Sequence, residues 1–192
     1  MDQNRLSELI AVQIAELILS GKIENGTKLR QEELADMLEV SRIPVREALQ
    51  ILQTQGLAER LATRHIITPQ LCDENIKETY TLLGQMEAVA VTELSHTFKE
   101  NCYERFYKGK SDEQIHAGIR TAVNNLYIRT LLENGYRYYV QYAEKQSHDL
   151  YHLMEVYDKT QESGNGSDRI QSAIKDHYQY LAEVVIQERK KG

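Results

Sequence analysis

The chain has 192 residues, of which 41% are hydrophobic and 27% charged, and a formal net charge of -6. That length admits one large domain or two small ones. No apolar run approaches the roughly 20 residues of a membrane-spanning helix. The opening segment is broken by acids and no small-residue cleavage site follows, so it does not read as a secretory leader. A cytoplasmic protein without membrane contact is expected. Cys72 and Cys102, far apart and outside any CxxC spacing, agree with that. Bulk charge speaks against nucleic acid: residues 1–68 hold eight Lys and Arg against ten Asp and Glu, and the remainder fifteen against nineteen. Any DNA contact must come from a few well-placed arginines.

From the N-terminus, Leu6, Leu9, Ile10, Ile14, Leu17 and Ile18 trace one face of an amphipathic helix. Gly21 falls where a left-handed stop is expected, and Asn25-Gly26 marks a turn. A short helix is predicted over residues 33–38. After a turn at Val40, a third helix starts with Ser41 as N-cap. It holds Pro44 in its first turn, where a missing N–H costs little, and stops at Gly56. Residues 57–59 and 65–68 form the one convincing strand pair, and Pro69 closes the unit. Everything beyond reads helical. Residues 73–96 are one long amphipathic stretch, Ser111 and Gln114 have the spacing of a capping box, and Asn124-Asn125 breaks the helix that follows. Tyrosine-rich helices run to about Gln161, residues 162–166 form a loop, and Ser167 can cap a last helix.

The segment from Gln31 to Gln55 is helix, tight turn, helix. On the second helix Val45, Ala48, Leu49 and Leu52 share one face, while Arg42, Arg46, Gln50 and Gln53 lie largely on the other. A helix anchored by one face and showing Arg and Gln on the other can enter a major groove, where Arg matches guanine and Gln matches adenine in bidentate fashion. Ser41 and the helix start suit a phosphate. A hairpin bearing Arg60 and Arg64 would be a wing against the adjacent backbone. The bland reading is that Arg42 and Arg46 are surface charges paired with Glu39 or Glu47.

These residues carry a resemblance. Leu34-Ala35, then Val40-Ser41-Arg42-Ile43-Pro44-Val45-Arg46-Glu47-Ala48-Leu49, Leu52 and Gly56-Leu57 resemble the signature of the GntR family of bacterial regulators. Ile18 to Ile23 and Gly26 to Leu29 resemble its lead-in. The resemblance implies a winged helix-turn-helix in which Arg42 and Arg46 contact bases and phosphates while Ser41 and Pro44 set how the helix begins. Two departures stand out: Ile43 replaces a usual threonine, and the wing tip, Leu61 to His65, lacks the usual glycine.

The C-terminal half resembles the FadR-type branch of that family, with its all-helical FCD effector domain, through Glu87, Asp112-x-x-x-His116, Asn125 and His177. That resemblance implies a divalent metal held by one Asp and three His. The spacing is compatible: Asp112 and His116 are four apart on one helix face, with His152 and His177 on two further helices. One carboxylate and three imidazoles suit Zn²⁺, Ni²⁺, Co²⁺ or Mn²⁺. His148 competes with His152 for the uncertain place. Alternatively, Asp112 only favours its helix dipole and the histidines are an ordinary polar cluster. The Arg that the branch carries one turn before the glutamate is absent, Leu83 and Gly84 standing there. A carboxylate effector would need another cation, with Arg120, Arg129 and Arg137 as candidates.

The expected protein is mainly α: a winged helix-turn-helix over residues 1–69 and an all-helical effector and dimerisation domain over residues 70–192. Its expected role is a homodimeric, non-enzymatic transcription regulator. It would bind double-stranded operator DNA through Ser41, Arg42, Pro44, Arg46, Gln50, Arg60 and Arg64. It would sense a small molecule, a carboxylate among the candidates, at a Zn, Ni or Mn site made by Asp112, His116, His152 and His177. The alternatives are a metal-free sensor of a hydrophobic effector and a metal-dependent hydrolase or lyase.

Overall fold

The computed structural model describes residues 3–98, 108–148, 152–159 and 166–191. The chain divides into two compact units, one of Met1–Cys72 with Gln187–Gly192, the other of Asp73–Ile186.

The first unit holds α1 (Gln3–Leu19), α2 (Gln31–Met37), α3 (Arg42–Thr54), β1 (Glu59–Arg60) and β2 (Ile66–Ile67). Its core is the apolar face of α1, with Ile10, Ile14 and Ile18 buried, packed on Val45, Ala48, Leu49 and Leu52 of α3. Burying each such side chain contributes about 1.5–3 kcal/mol, so the packed face of α3 is fixed and its opposite face is left outward. Gly21 takes φ +79 at the expected helix stop, and Glu39 takes φ +54 in the turn between α2 and α3. The strands are shorter than expected, pairing antiparallel as Glu59 with Ile67 and Arg60 with Ile66. The sequence reading missed a third edge. Lys28 bridges to Ile67, and Leu29 N–H donates to Ile66 O at 2.9 Å. Buried Thr68 ties this edge down, its hydroxyl donating to Glu24 O at 2.6 Å. In the closing segment of the chain, Arg189 donates to Ile18 O at 2.6 Å, satisfying a C-terminal carbonyl of α1.

The second unit holds α4 (Asp73–Phe98), α5 (Asp112–Ala122), α6 (Leu126–Gly135), a π-helical segment (Tyr136–Val140), α7 (Gln141–Gln146), α8 (His152–Lys159) and α9 (Gly166–Arg189, to Ile186 in this unit). The capping box of α5 is present in both directions, Ser111 N–H donating to Gln114 at 3.0 Å and Gln114 N–H to Ser111 at 3.4 Å. Asn125 caps α6 by accepting from Tyr127 N–H at 3.0 Å. Ile76, Tyr80, Val91, Ile115, Ile119, Ile174 and Leu181 are buried in the unit. Gly84 is required by close approach: a Cβ there would lie 2.8 Å from Cβ of Tyr178. Cys102 and the expected loop at 162–166, up to Asn165, lie outside the described residues, and of Ser167 only its place within α9 is described.

Candidate DNA-reading face and candidate metal centre

On α3 the residues Arg42, Ile43, Arg46 and Gln50 are exposed. Ser41 occupies the N-cap without a side-chain capping bond and is exposed. Pro44 is buried in the first turn. Gln53, read from the sequence as part of the outward face, instead donates to Leu49 O of its own helix at 3.0 Å. The expected pairing of the arginines with Glu39 or Glu47 does not form. Glu47 accepts from the Ser7 hydroxyl at 2.6 Å, Arg42 meets Glu32 at 2.6 Å, and Arg30 meets Glu33 at 2.6 Å. Arg46 has no ion-pair partner among the described residues.

The wing tip solves its missing glycine by strain. Leu61 N–H donates to His65 O and Arg64 N–H to Leu61 O, both at 2.9 Å, so the turn ends on a residue that must be left-handed. Arg64 takes that place with φ +67 and holds an exposed cation at the tip. Arg60 is exposed on β1. Lys28, Arg30, Arg42, Arg64 and His65 line one shallow cleft of about 320 Å³. Lys28 and Arg30 were not singled out by sequence, because only the unforeseen Lys28–Ile67 bridge brings their segment beside the wing.

The second unit buries an unusual set of polar groups: Glu87, Asp112, His116, Arg120 and His177. His116 Nδ1 lies 2.6 and 2.8 Å from the two oxygens of Glu87, whose second oxygen also accepts from the Tyr178 hydroxyl. Burial alone would push the Glu87 carboxyl up and the His116 imidazole down. Their mutual charge and hydrogen bond outweigh that, holding Glu87 below the usual carboxylate range and His116 above the usual imidazole range. Burial, with His116 and His152 nearby, keeps His177 well below its ordinary value and therefore neutral.

Three of the four expected ligands surround His177. Its Nδ1 is 3.2 Å from His152 Nδ1 and 3.7 Å from Asp112 Oδ2, while its ring centroid is 5.3 Å from that of His116. Asp112 is also held by the Leu153 N–H at 3.2 and 3.3 Å. His148 is exposed. One group was missed by sequence. Glu144, on α7, places Oε1 3.5 Å from His116 Nε2. His116, Glu144 and His177 each offer a donor atom, all within 4.8 Å of one another. His116 Nε2, His177 Nε2 and Glu144 Oε1 are buried without a hydrogen-bond partner, as a site for a cation requires. A cleft of about 260 Å³ lined by Asp112, Tyr136, Gln141, Glu144 and Lys145 opens beside them. Of the candidate cations for a carboxylate, only Arg120 is buried; it lies 3.7 Å over the Tyr136 ring. The space one turn before Glu87, where an Arg was missed, is closed by Tyr178 against Gly84.

Residues 6–64 match the sequence model of the bacterial regulatory proteins of the gntR family. The first unit is thus similar to the gntR-type regulatory proteins over its helices and into its hairpin. The chain is 23% identical over 183 residues to the uncharacterized HTH-type transcriptional regulator YdhC of Bacillus subtilis (strain 168), covering 90% of this chain and 77% of that protein. It is 30% identical over 142 residues to the gluconate operon transcriptional repressor of Bacillus licheniformis, covering 65% of this chain and 58% of the repressor. Among solved structures, Lar, described as controlling the Listeria monocytogenes agr system, is similar in fold with TM-score 0.51 and 16% identity, covering 97% of each chain. No helix among the described residues is long and apolar enough to cross a membrane.

Proposed function

We propose that this regulator is of the FadR-type branch, and that its helical unit is an FCD-like sensor built on a divalent metal near His177. The observation that carries the reading is the set of buried, unpartnered donor atoms around His116 and His177, beside a cleft that reaches them. The sequence-derived candidates Asp112, His152 and His116 lie around His177, which supports this reading. A bound divalent metal would supply a Lewis-acidic anchor for an effector carboxylate. Arg120 would add the one buried cation. A sugar acid or similar carboxylate is the effector class we favour. The relative named as a gluconate operon repressor supports it, as well as repression as the sign of control. The protein would act as a homodimer on a pseudo-palindromic operator, matching two-fold symmetry to two-fold symmetry. Leu82 and Val89, 65% and 60% exposed on α4, are our candidates for the dimer face. Sedimentation of a Leu82→Glu, Val89→Glu variant should show monomers where the parent shows dimers.

Metal analysis of protein purified without a histidine tag tests the central claim. About one equivalent of metal per chain is expected, and chelation should lower the melting temperature, since a metal bound only to the folded state stabilises it by mass action. His116→Ala and His177→Ala should abolish that response. A content near zero, unchanged after incubation with Zn²⁺, Ni²⁺ or Mn²⁺, would remove the metal and leave a buried polar cluster.

A further inference from the structure

We infer that Glu144 is a direct ligand of this metal, and that the metal sits on the Nε2 side of the His177 ring. The inference rests on the metal reading above and differs from the sequence-derived set by putting Glu144 in the place of Asp112 and His152 as a ligand. When a metal displaces the second ring proton of His116, the proton facing Glu87 at 2.6 Å stays on Nδ1 and the Nε2 lone pair is directed toward Glu144 at 3.5 Å. His177 faces His152 and Asp112 with Nδ1, at 3.2 and 3.7 Å. A proton on that nitrogen, donated to His152 Nδ1, leaves a lone pair on Nε2. Both free lone pairs therefore fall on the side where Glu144 Oε1 lies.

The distances fit shared coordination better than direct pairing. His116 Nε2 and Glu144 Oε1 are 3.5 Å apart and make no hydrogen bond. Two donor atoms each about 2.1 Å from one tetrahedral ion lie about 3.4 Å apart. The other oxygen of Glu144 is fixed by the Tyr136 hydroxyl at 2.7 Å, which aims Oε1 inward. Tyr136 opens the π-helical segment that leads into α7, and such segments are frequent where a helix must turn a side chain into a functional site. Two imidazoles and one carboxylate leave positions open on the cleft side, where Tyr136 and Glu144 both line the wall.

The test is calorimetric titration of the chelator-stripped, full-length protein with Zn²⁺ and Mn²⁺. Glu144→Gln should weaken binding by about tenfold or more, while exposed His148→Ala should leave it unchanged. X-ray absorption of the Zn²⁺-loaded parent protein supplies a readout that needs no variant: two imidazoles with oxygen donors are expected. Three imidazoles, or parental affinity in Glu144→Gln together with loss in His152→Ala, would overturn the role of Glu144 while leaving a metal site in place. A parent protein that takes up no metal would overturn both readings. If Glu144→Gln fails to fold, the imidazole count decides alone.

Discussion

At the scale of single residues, the polar core contributes stability in a defined pH window. In the metal-free protein, Glu87 is held below its ordinary value near 4.5 and His116 above its ordinary value near 6.5. The depressed carboxyl stabilises the fold above its ordinary value, and that contribution is lost as pH falls through the folded value. The raised imidazole stabilises below its ordinary value, and that contribution is lost as pH rises through the folded value. Both therefore act in full between about pH 4.5 and 6.5. The melting-temperature gap between chelated parent and Glu87→Gln should be widest in that window and narrow on both sides; a gap independent of pH would contradict the pairing. On the DNA side, Arg46 is exposed and unburdened by a carboxylate. Arg46→Ala should cost about 1–3 kcal/mol of operator affinity with little change in melting temperature. An unchanged anisotropy titration would remove Arg46 from the reading face.

Among the elements, the wing carries the sharpest trade. A non-glycine residue in the left-handed region costs about 1–2 kcal/mol, and Arg64 bears that cost to place a cation at the tip. Arg64→Gly should therefore raise stability by up to about 1 kcal/mol, a little being returned through the freer unfolded chain. The same change should weaken binding to all DNA sequences alike. A loss confined to one operator position would contradict a backbone contact. The elements also show what a sequence can and cannot reveal. The helix α3, the capping box at Ser111, the break at Asn125 and the stop at Gly21 were legible because each rests on local chemistry. The edge strand through Lys28 was not, since its partner Ile67 is 39 positions away and its pairing is non-local. Glu144 was hidden for a related reason. Its approach to His116 follows the π-helical segment before it, which a regular 3.6-residue period does not encode. His116 was visible through its four-residue spacing from Asp112 and His177 through the resemblance, and a glutamate among 29 acidic residues gives no such signal.

For the molecule as a whole, the balance of charge is the puzzle: the chain we propose to bind DNA carries a net charge of -6. The ion pairs Arg42–Glu32 and Arg30–Glu33 give it a reading, because both sit at the cleft beside α3 and the wing and all four side chains are more than half exposed. Glu32 and Glu33 behave as tethered counterions, carried by the chain in place of dissolved salt. When a phosphate takes Arg42, the displaced carboxylate stays within reach and takes up a cation from solution. That uptake cancels part of the counterion release from DNA that ordinarily drives binding. Each phosphate neutralised normally steepens the dependence of log affinity on log salt by about 0.9. The parent protein should show a shallower slope than its arginine count implies. Glu32→Gln with Glu33→Gln should steepen it and tighten binding at low salt, and identical slopes would show that these acids leave the interface freely. A regulator built this way exchanges raw attraction for steadiness, holding its operator with similar strength as the ionic strength around it rises and falls.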